Sequence, residues 1–497
     1  MHAGESICSP RSGVQIPAGP PNLRNPYDNC ATAARQSWAD IRGPSRSGGG
    51  SGRGRSEWSY YTGIDEIYHA KWSARESAKL SIFREAVDHF WPKPDGHPTN
   101  LVQVAGTSGK GSTCQFLQAG LSLYGPSGCY VKPHVFDYAE RFIVNDERVR
   151  HDEILEVWEQ DIKPYCTTSA ARGKEYVLDH PEVSLLIALR IFERRRLRWA
   201  AIETGVGGRY DPATVLDVVA TVLTNVGRDH EDVLGSEHWQ RALNKAGVCR
   251  PGVPLILGDK DDRTVDVVAD VCHDIGTPLI RVGNSDLEKV RKSLHFVRGK
   301  SPEAAVGSRH QLQNAAVAAK VIKVLVPGAS FDKVCKRFMK MQYVGRFWKV
   351  RDGVFADVAH NPSKTEALSE EIGRRFGGRK TVFVVGISGN RDPVEVLGPL
   401  VVHAKAFVVT AAGYKGQDPR KVSLSLKRKF PELPIRLVVD PRDTLKIAEE
   451  LVVGGETIIF TGSTYMIDQA LNPDDRLRHL NGTYGWREAY DKRPPAG

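Results

Sequence analysis

The chain has 497 residues, of which 41% are hydrophobic and 26% charged, and a formal net charge of +10. That length exceeds one comfortable core and predicts two or three domains, with the composition of an ordinary globular enzyme. The longest apolar run, Val183 to Phe192, is broken by Arg190 and falls short of the roughly 20 residues a membrane-spanning helix needs; the eight scattered cysteines lack a CxxC pair and fit a reducing compartment; and the positive charge comes without a nucleic-acid reader motif.

To about Ser56 the chain is rich in Gly, Pro, Ser and Arg with no apolar period, which predicts disorder. The arginine bias suggests a mitochondrial transit segment, although the many Pro and Gly residues oppose the amphipathic helix such segments form. RSGVQIPAGPP (11–21) also resembles an in-frame translation of the 3′ end of a transfer-RNA gene, which would put the true start near Trp58. Residues 1–56 are therefore expected to be a disordered or spurious extension, and the first domain to run over 57–340.

From about Glu57 helix-like and strand-like segments alternate, which predicts a parallel sheet with covering helices. Leu101 to Ala105 read as a buried strand, GTSGKGST (106–113) as a tight glycine turn, and Cys114 to Leu123 as a helix. Amides at such a helix start carry partial positive charge, and Lys110 adds a full charge where nucleotide phosphates would lie. The spacing is shorter than GxxxxGK[ST], so a glycine-rich turn with a solvated lysine stays open. Trp199 to Ile202 form a second strand ending in ETGVGGRYD (203–211), and 218–227 a third ending in RDH (228–230). Ligands gather at the carboxyl ends of such strands. Lys110, Glu203 and His230 therefore fall where one site could hold them, with an oxygen and a nitrogen for the Mg²⁺ that accompanies a triphosphate. A helix-capping Glu and a core His are the plain alternatives.

Residues 307–322 carry an amphipathic, Ala-rich helix pattern, and the chain changes character near Met339 to Gly345. A second unit over 341–480 follows, with strands at 381–387, 406–412, 435–440 and 457–463 and helices at 363–376 and 441–452. This predicts a smaller Rossmann-like α/β domain without a GxGxxG fingerprint, followed by a tail over 481–497.

The blocks GTSGKGST (106–113), ETGVGGRYDPAT (203–214), GRDH (227–230), NKAGVCRPGVP (244–254), GSRHQLQNAA (307–316), GRF (345–347), DVAHNP (357–362) and TGSTYMI (461–467) resemble, in order, the folylpolyglutamate synthase and dihydrofolate synthase branch of the Mur ligase superfamily. The resemblance implies a P-loop-type ATPase domain followed by a glutamate-ligase domain, and an ATP-dependent ligase joining an amino acid, usually L-glutamate, to a carboxylate through an acyl phosphate. It implies ATP contacts at Gly106, Thr107, Ser108, Gly109, Lys110, Gly111, Ser112, Thr113, Asn314 and Arg346, with His310 and Gln311 on the helix of Asn314. Glu203 and His230 are implied as Mg²⁺ ligands, with Ser112 and a carbamylated Lys245 as further metal ligands. Asp357, His360 and Ser463 are implied for the incoming glutamate, and Lys110, Lys245 and His360 for catalysis. ATP and Mg²⁺ are the implied cofactors, with K⁺ left open. The implied protein is a cytoplasmic monomer that meets small molecules, not nucleic acid or membrane.

Two departures stand out. Where the family has Ser-Pro-His, with the serine on Mg²⁺, this chain has Lys132, Pro133 and His134, and an ammonium has no lone pair for a metal. At HPEVSLL (180–186) the folate enzymes carry an aromatic pair and a glutamate. Both departures lie near the acceptor side. A ligase for a different carboxylate, or a catalytically silent nucleotide-binding protein, therefore remain alternatives. Retention of Lys110, Glu203, His230 and Lys245 together argues against the silent one.

Overall fold

The computed structural model describes Ile64 and residues 77–173, 176–297, 309–339, 341 and 345–472. The expectations for residues 1–56 and for the tail from 481 lie outside the described residues, as does most of the stretch 339–345. Among the described residues no helix is long and apolar enough to cross a membrane.

Two sheets organise the chain. The first holds β1 (Asn100–Ala105), β2 (Ser127–Tyr130), β3 (Phe142–Val144), β4 (Glu147–Arg148), β5 (Trp199–Glu203), β6 (Ala220–Leu223), β7 (Leu255–Leu257) and β8 (Leu279–Arg281), in the order β4-β3-β2-β5-β1-β6-β7-β8. Its neighbours are parallel except at the β2–β3 and β3–β4 pairs. The second holds β9 (Trp348–Arg351), β10 (Val354–Ala356), β11 (Thr381–Val385), β12 (Ala404–Val409), β13 (Ile435–Leu437) and β14 (Thr457–Thr461), in the order β13-β12-β11-β14-β10-β9, with only the β9–β10 pair antiparallel. The mixed α/β class with a larger and a smaller parallel sheet is as expected.

Helices cover both sheets. Those that matter for the site are α1 (Lys110–Leu121), α2 (His180–Arg194), α3 (His238–Ala246), α4 (Arg309–Leu325), α5 (Pro362–Phe376) and α6 (Thr464–Leu471). Alternation along β1 sends Leu101 into one apolar cluster, with Phe142, Leu186 and Ile202, and Val102 and Val104 into another, with Phe116, Val317 and Phe338. A central strand covered on both faces needs such a continuous apolar run. On α1, a Cβ at Gly120 would lie 2.3 Å from Ile322 Cδ1, so the glycine lets α1 and α4 close on one another. The second sheet likewise separates a cluster with Phe383 and Phe407 from one with Val382 and Phe460.

Register places the site. Val104 pairs with Glu203 and Ala105 with Leu223, so the chain leaves β1, β5 and β6 at one edge. The predicted strand 218–227 is regular only over Ala220–Leu223. Beyond Leu223 the side chains of Thr224 and Asn225 bond to the glycine turn, and the backbone leaves the ladder to let them do so.

Candidate active site

The glycine turn is built by its neighbours as much as by its own sequence. Asn225 Oδ1 accepts from the amides of Thr107 and Ser108 at 3.1 and 2.9 Å, and Thr224 Oγ1 donates to the Ser108 carbonyl at 2.7 Å. Thr107 Oγ1 in turn accepts from Gly227 N–H at 2.8 Å. Gly109 has φ 82° and ψ −6° and caps α1 with no side-chain bond, which leaves the first amides of the helix for an anion. A Cβ at Gly109 would lie 2.2 Å from Asn314 Oδ1, so the turn is pressed against the helix that carries Asn314. Lys110 is folded back, its Nζ donating to the carbonyls of Gly106 (2.9 Å) and Thr107 (3.4 Å).

Ser112, Gln311 and Asn314 form one chain. Gln311 Nε2 donates to Ser112 Oγ at 3.1 Å, and Asn314 Nδ2 donates to Gln311 Oε1 at 3.3 Å. His310, Gln311 and Asn314 line a cavity of about 320 Å³ with Ser108, Gly109 and Ser112 on one side and Arg346, Asp357 and Lys364 of the small lobe on the other. A second cavity of about 280 Å³ shares Ser112 and Arg346 and adds Glu203 and Lys132.

Glu203 ends β5 and is buried. Its Oε2 accepts from Lys132 N–H at 2.7 Å, and a Cβ at Gly111 would lie 3.0 Å from that oxygen. Lys132 side-chain nitrogen sits 5.3 Å above the Tyr130 ring. No group of three or more His, Cys, Asp or Glu residues among the described residues could hold a metal by itself. The donors present fit a hard divalent cation nonetheless: the Ser112 hydroxyl and Glu203 carboxylate share a cavity wall, and phosphate oxygens and water ordinarily supply the remaining ligands of Mg²⁺.

His230 holds φ 52°, unusual outside glycine, at the start of a short helix, with Asp229 Oδ1 3.8 Å from its Nε2. Burial lowers its pKa; Asp229 opposes this and Arg391 and Lys110 add to it. Lys245 lies in the last turn of α3 and is buried. Burial first, then Lys110, draws its pKa down to about 7, with Asp229 opposing. The GVGG and NKAG blocks interlock to place it: Arg209 N–H donates to the Asn244 carbonyl at 2.9 Å, and a Cβ at Gly208 would meet the Lys245 carbonyl at 2.6 Å.

The small lobe meets this group through its loops after β10, β11 and β14. Asn361 caps α5, its Oδ1 accepting from Lys364 N–H at 3.0 Å, while its Nδ2 donates across the cleft to Asp229 Oδ2 at 3.0 Å. Arg391 Nη2 lies 3.8 Å from Asp229 Oδ1. His360 Nδ1 donates to the Val358 carbonyl at 2.7 Å, and its Nε2 faces Lys364 Nζ at 3.0 Å. Burial, then Lys364, holds His360 well below its ordinary pKa, so the ring is neutral. Asp357 has both oxygens committed to backbone, to Phe347 N–H and Ala359 N–H at 2.8 Å each, which braces the connection carrying Arg346. Ser463 caps α6, accepting from Met466 N–H, and bonds Ser388 Oγ at 2.6 Å. Its loop lies beside that of His360, since Gly462 N–H donates to the Ala359 carbonyl at 2.8 Å.

The geometry can be set beside known proteins. Residues 341–464 match the Mur ligase, glutamate ligase domain. The dihydrofolate synthase/folylpolyglutamate synthase of Haemophilus influenzae is 26% identical over 423 residues, covering 78% of this chain and 91% of that protein. The Bacillus subtilis protein of the same name is 25% identical, covering 75% and 90%. The domain match and these relatives support the folylpolyglutamate synthase/dihydrofolate synthase family. It spans 42% of the length of a relative from Haloferax volcanii, a probable bifunctional folylpolyglutamate synthase/dihydropteroate synthase, to which it is 28% identical. The fold is that of Mycobacterium tuberculosis folylpolyglutamate synthase complexed with ADP, with a TM-score of 0.71 at 21% identity over 83% of this chain and 97% of that one. The Yersinia pestis bifunctional enzyme complexed with AMPPNP and Mn ion superposes with a TM-score of 0.68 at 23% identity, covering 82% and 96%.

In this chain the glycine turn, Asn314 and Arg346 border the first cavity, and Ser112, Glu203 and Arg346 the second. His230 and Lys245 each face both Asp229 and Lys110, and Ser463 stands one loop further off. Sequence reasoning passed over Asp229, Lys364, Arg391 and Asn225. Asp229 lay inside the quoted GRDH block and Asn361 inside DVAHNP, but nothing in their spacing shows that the two join the lobes.

Proposed function

We propose that this chain is an ATP-dependent ligase joining L-glutamate to a folate-type carboxylate, with ADP and phosphate as by-products. The observation that carries the reading is the gathering of Lys245, Lys364, His360 and Arg391 around Asp229 where the two lobes meet, with Lys110 facing Lys245 and Lys364, an arrangement suited to polyanionic nucleotide and anionic acids. A carboxylate is inert to amines, so its oxygen would first attack the terminal phosphorus of ATP, displacing ADP and giving an acyl phosphate. The glutamate amine, having lost a proton, would then attack the acyl carbon and expel phosphate. Lys110 would leave its loop carbonyls to hold the transferring group, and Arg346 would reach the phosphates with its planar fork. His360, neutral with a lone pair at Nε2, suits the task of taking the amine proton. Glutamate would be held by His360 and Ser463, with Asp357 acting through the backbone it braces.

Ser112, Glu203 and His230 would hold Mg²⁺, and Lys245 as a carbamate would offer an oxygen donor for a second metal. When bound, the ion would neutralise phosphate charge in the transition state. A lysine pulled down to about 7 has a substantial share of neutral amine near pH 7, as carbamate formation with carbon dioxide requires. No residue is assigned to K⁺. The reading is of a cytoplasmic monomer with domains at 57–340 and 341–480; a mitochondrial location would need residues 1–56 to be a real transit segment.

One observation favours a second acceptor class. Lys132 and a buried polar group, in which His134 Nδ1 accepts from Arg141 Nε at 2.9 Å and Tyr138 shares a 2.7 Å bond with Ser184, stand beside His180 at the start of α2. Lys132 lines the 280 Å³ cavity, and an ammonium there suits a more polar acid than a flat pterin. ADP release measured with dihydropteroate, tetrahydrofolate and a panel of other acids, each with and without glutamate, tests both readings. Release that needs a folate and glutamate together supports the first, release with another acid supports the second, and no acid-dependent release refutes both.

A further inference from the structure

Lys364 belongs to none of the motifs that point to the site. It stands in the first turn of α5, half-buried in the wall of the 320 Å³ cavity that Ser108, Gly109 and Ser112 of the glycine turn also line. Its Nζ donates to His360 Nε2 at 3.0 Å, and because His360 Nδ1 is already a donor to the Val358 carbonyl, that Nε2 is a neutral acceptor. The ammonium thus rests on an uncharged ring rather than on a carboxylate.

The charged groups around it come from every neighbouring element. Asp229 faces it from the loop after β6, Lys110 from α1, Arg346 from the connection before β9, and Arg391 from the turn after β11. Asp229 is the one acid in that set, and it also serves Lys245, His230, His360 and Arg391 and accepts from Asn361. Cations enclosed in a cleft with one shared carboxylate repel one another until an anion enters. Burial, then the neighbouring cations against Asp229, brings Lys364 to about 7, the state of an amine waiting for a partner. Asn361 fixes its place, tying Lys364 N–H to one end of its amide and Asp229 to the other.

We propose that Lys364 is the small lobe's own ligand for the terminal phosphate of a bound nucleoside triphosphate, closing on it from the side opposite Lys110. This rests on the ATP-ligase reading above. ADP lacks the group Lys364 would hold, so triphosphate and not diphosphate draws the small lobe in. The same movement takes the donor away from His360 Nε2 and leaves that nitrogen open to accept a proton.

Calorimetric titration of the full chain with ADP and with AMPPNP, both with Mg²⁺ present, tests the assignment. Lys364→Met should lose about tenfold or more in AMPPNP affinity while ADP affinity stays at the wild-type value, and Lys364→Arg should keep most of the AMPPNP affinity. Equal weakening of both nucleotides, or no change in either, overturns the assignment. Should Lys364→Met fail to fold, Lys364→Gln against Lys364→Arg carries the same comparison. A wild-type chain that binds neither nucleotide overturns the ligase reading itself, whereas one that binds both, with a variant that does not discriminate, overturns only the role of Lys364.

Discussion

Gly109→Ala separates backbone strain from contact at the nucleotide turn. Gly109 sits at φ 82° and ψ −6°, where an L residue costs about 1–2 kcal/mol. The new Cβ would also lie 2.2 Å from Asn314 Oδ1 and 2.9 Å from its Cγ, closer than real Cβ contacts come. Asn314 would have to swing away, giving up its 3.3 Å bond to Gln311 and loosening the 3.1 Å bond from Gln311 to Ser112, each worth about 0.5–1.5 kcal/mol. The total loss should be about 2–5 kcal/mol. Gly378→Ala is the control: its φ is 87° and nothing lies within 4 Å of its would-be Cβ, so only the strain of about 1–2 kcal/mol applies. Urea unfolding measures both variants, and ADP titration reads the site. If Gly109→Ala is no less stable than Gly378→Ala and binds ADP as tightly as wild type, the packing of the turn against Asn314 is not what shapes the site.

Lys245 gives a pH signature with a definite sign. Its folded pKa of about 7 lies below its ordinary 10.5, so between those values the unfolded chain holds a proton the folded one lacks, and stability rises with pH by up to about 1.4 kcal/mol per pH unit. In carbon-dioxide-free buffer the stability difference between wild type and Lys245→Met should therefore grow in favour of wild type from pH 7 to 9; a flat difference would show that the lysine stays charged. Glu203→Gln keeps the shape and removes the charge, and should weaken AMPPNP binding in Mg²⁺ at least about tenfold while leaving metal-free ADP binding unchanged. Turnover should be lost with it; retained turnover would count against Glu203 as a ligand. Asn361→Ala and Asn361→Ser both lose the bond to Asp229, but serine keeps a cap of α5, so in urea the alanine variant should be less stable than the serine one by about 0.5–2 kcal/mol. Equal stability of the two would mean that the cap contributes nothing.

The blocks that name the family were legible because each meets a local requirement. The glycine turn needs residues that tolerate positive φ, and NKAG must fit beneath GVGG. The central strands β1, β5, β11, β12 and β14 were legible as apolar runs, since a strand covered on both faces can contain little else. The shorter or more polar strands were not. β2 (Ser127–Tyr130, SGCY), β4 (Glu147–Arg148) and β8 (Leu279–Arg281) are too short or too polar for a period to appear, and pairing with neighbours defines them as strands.

By itself the sequence determined the class of fold, the nucleotide turn and most of the residues that face it, because these follow from backbone freedom and from apolar spacing over a few neighbours. Only the tertiary structure decided how the lobes connect. Asn361 reaches Asp229 across 132 positions, and Lys364 comes to face Lys110 through the folding of a different sheet. Electrostatic environment depends on what surrounds a group in space, and no spacing rule along the chain carries that information.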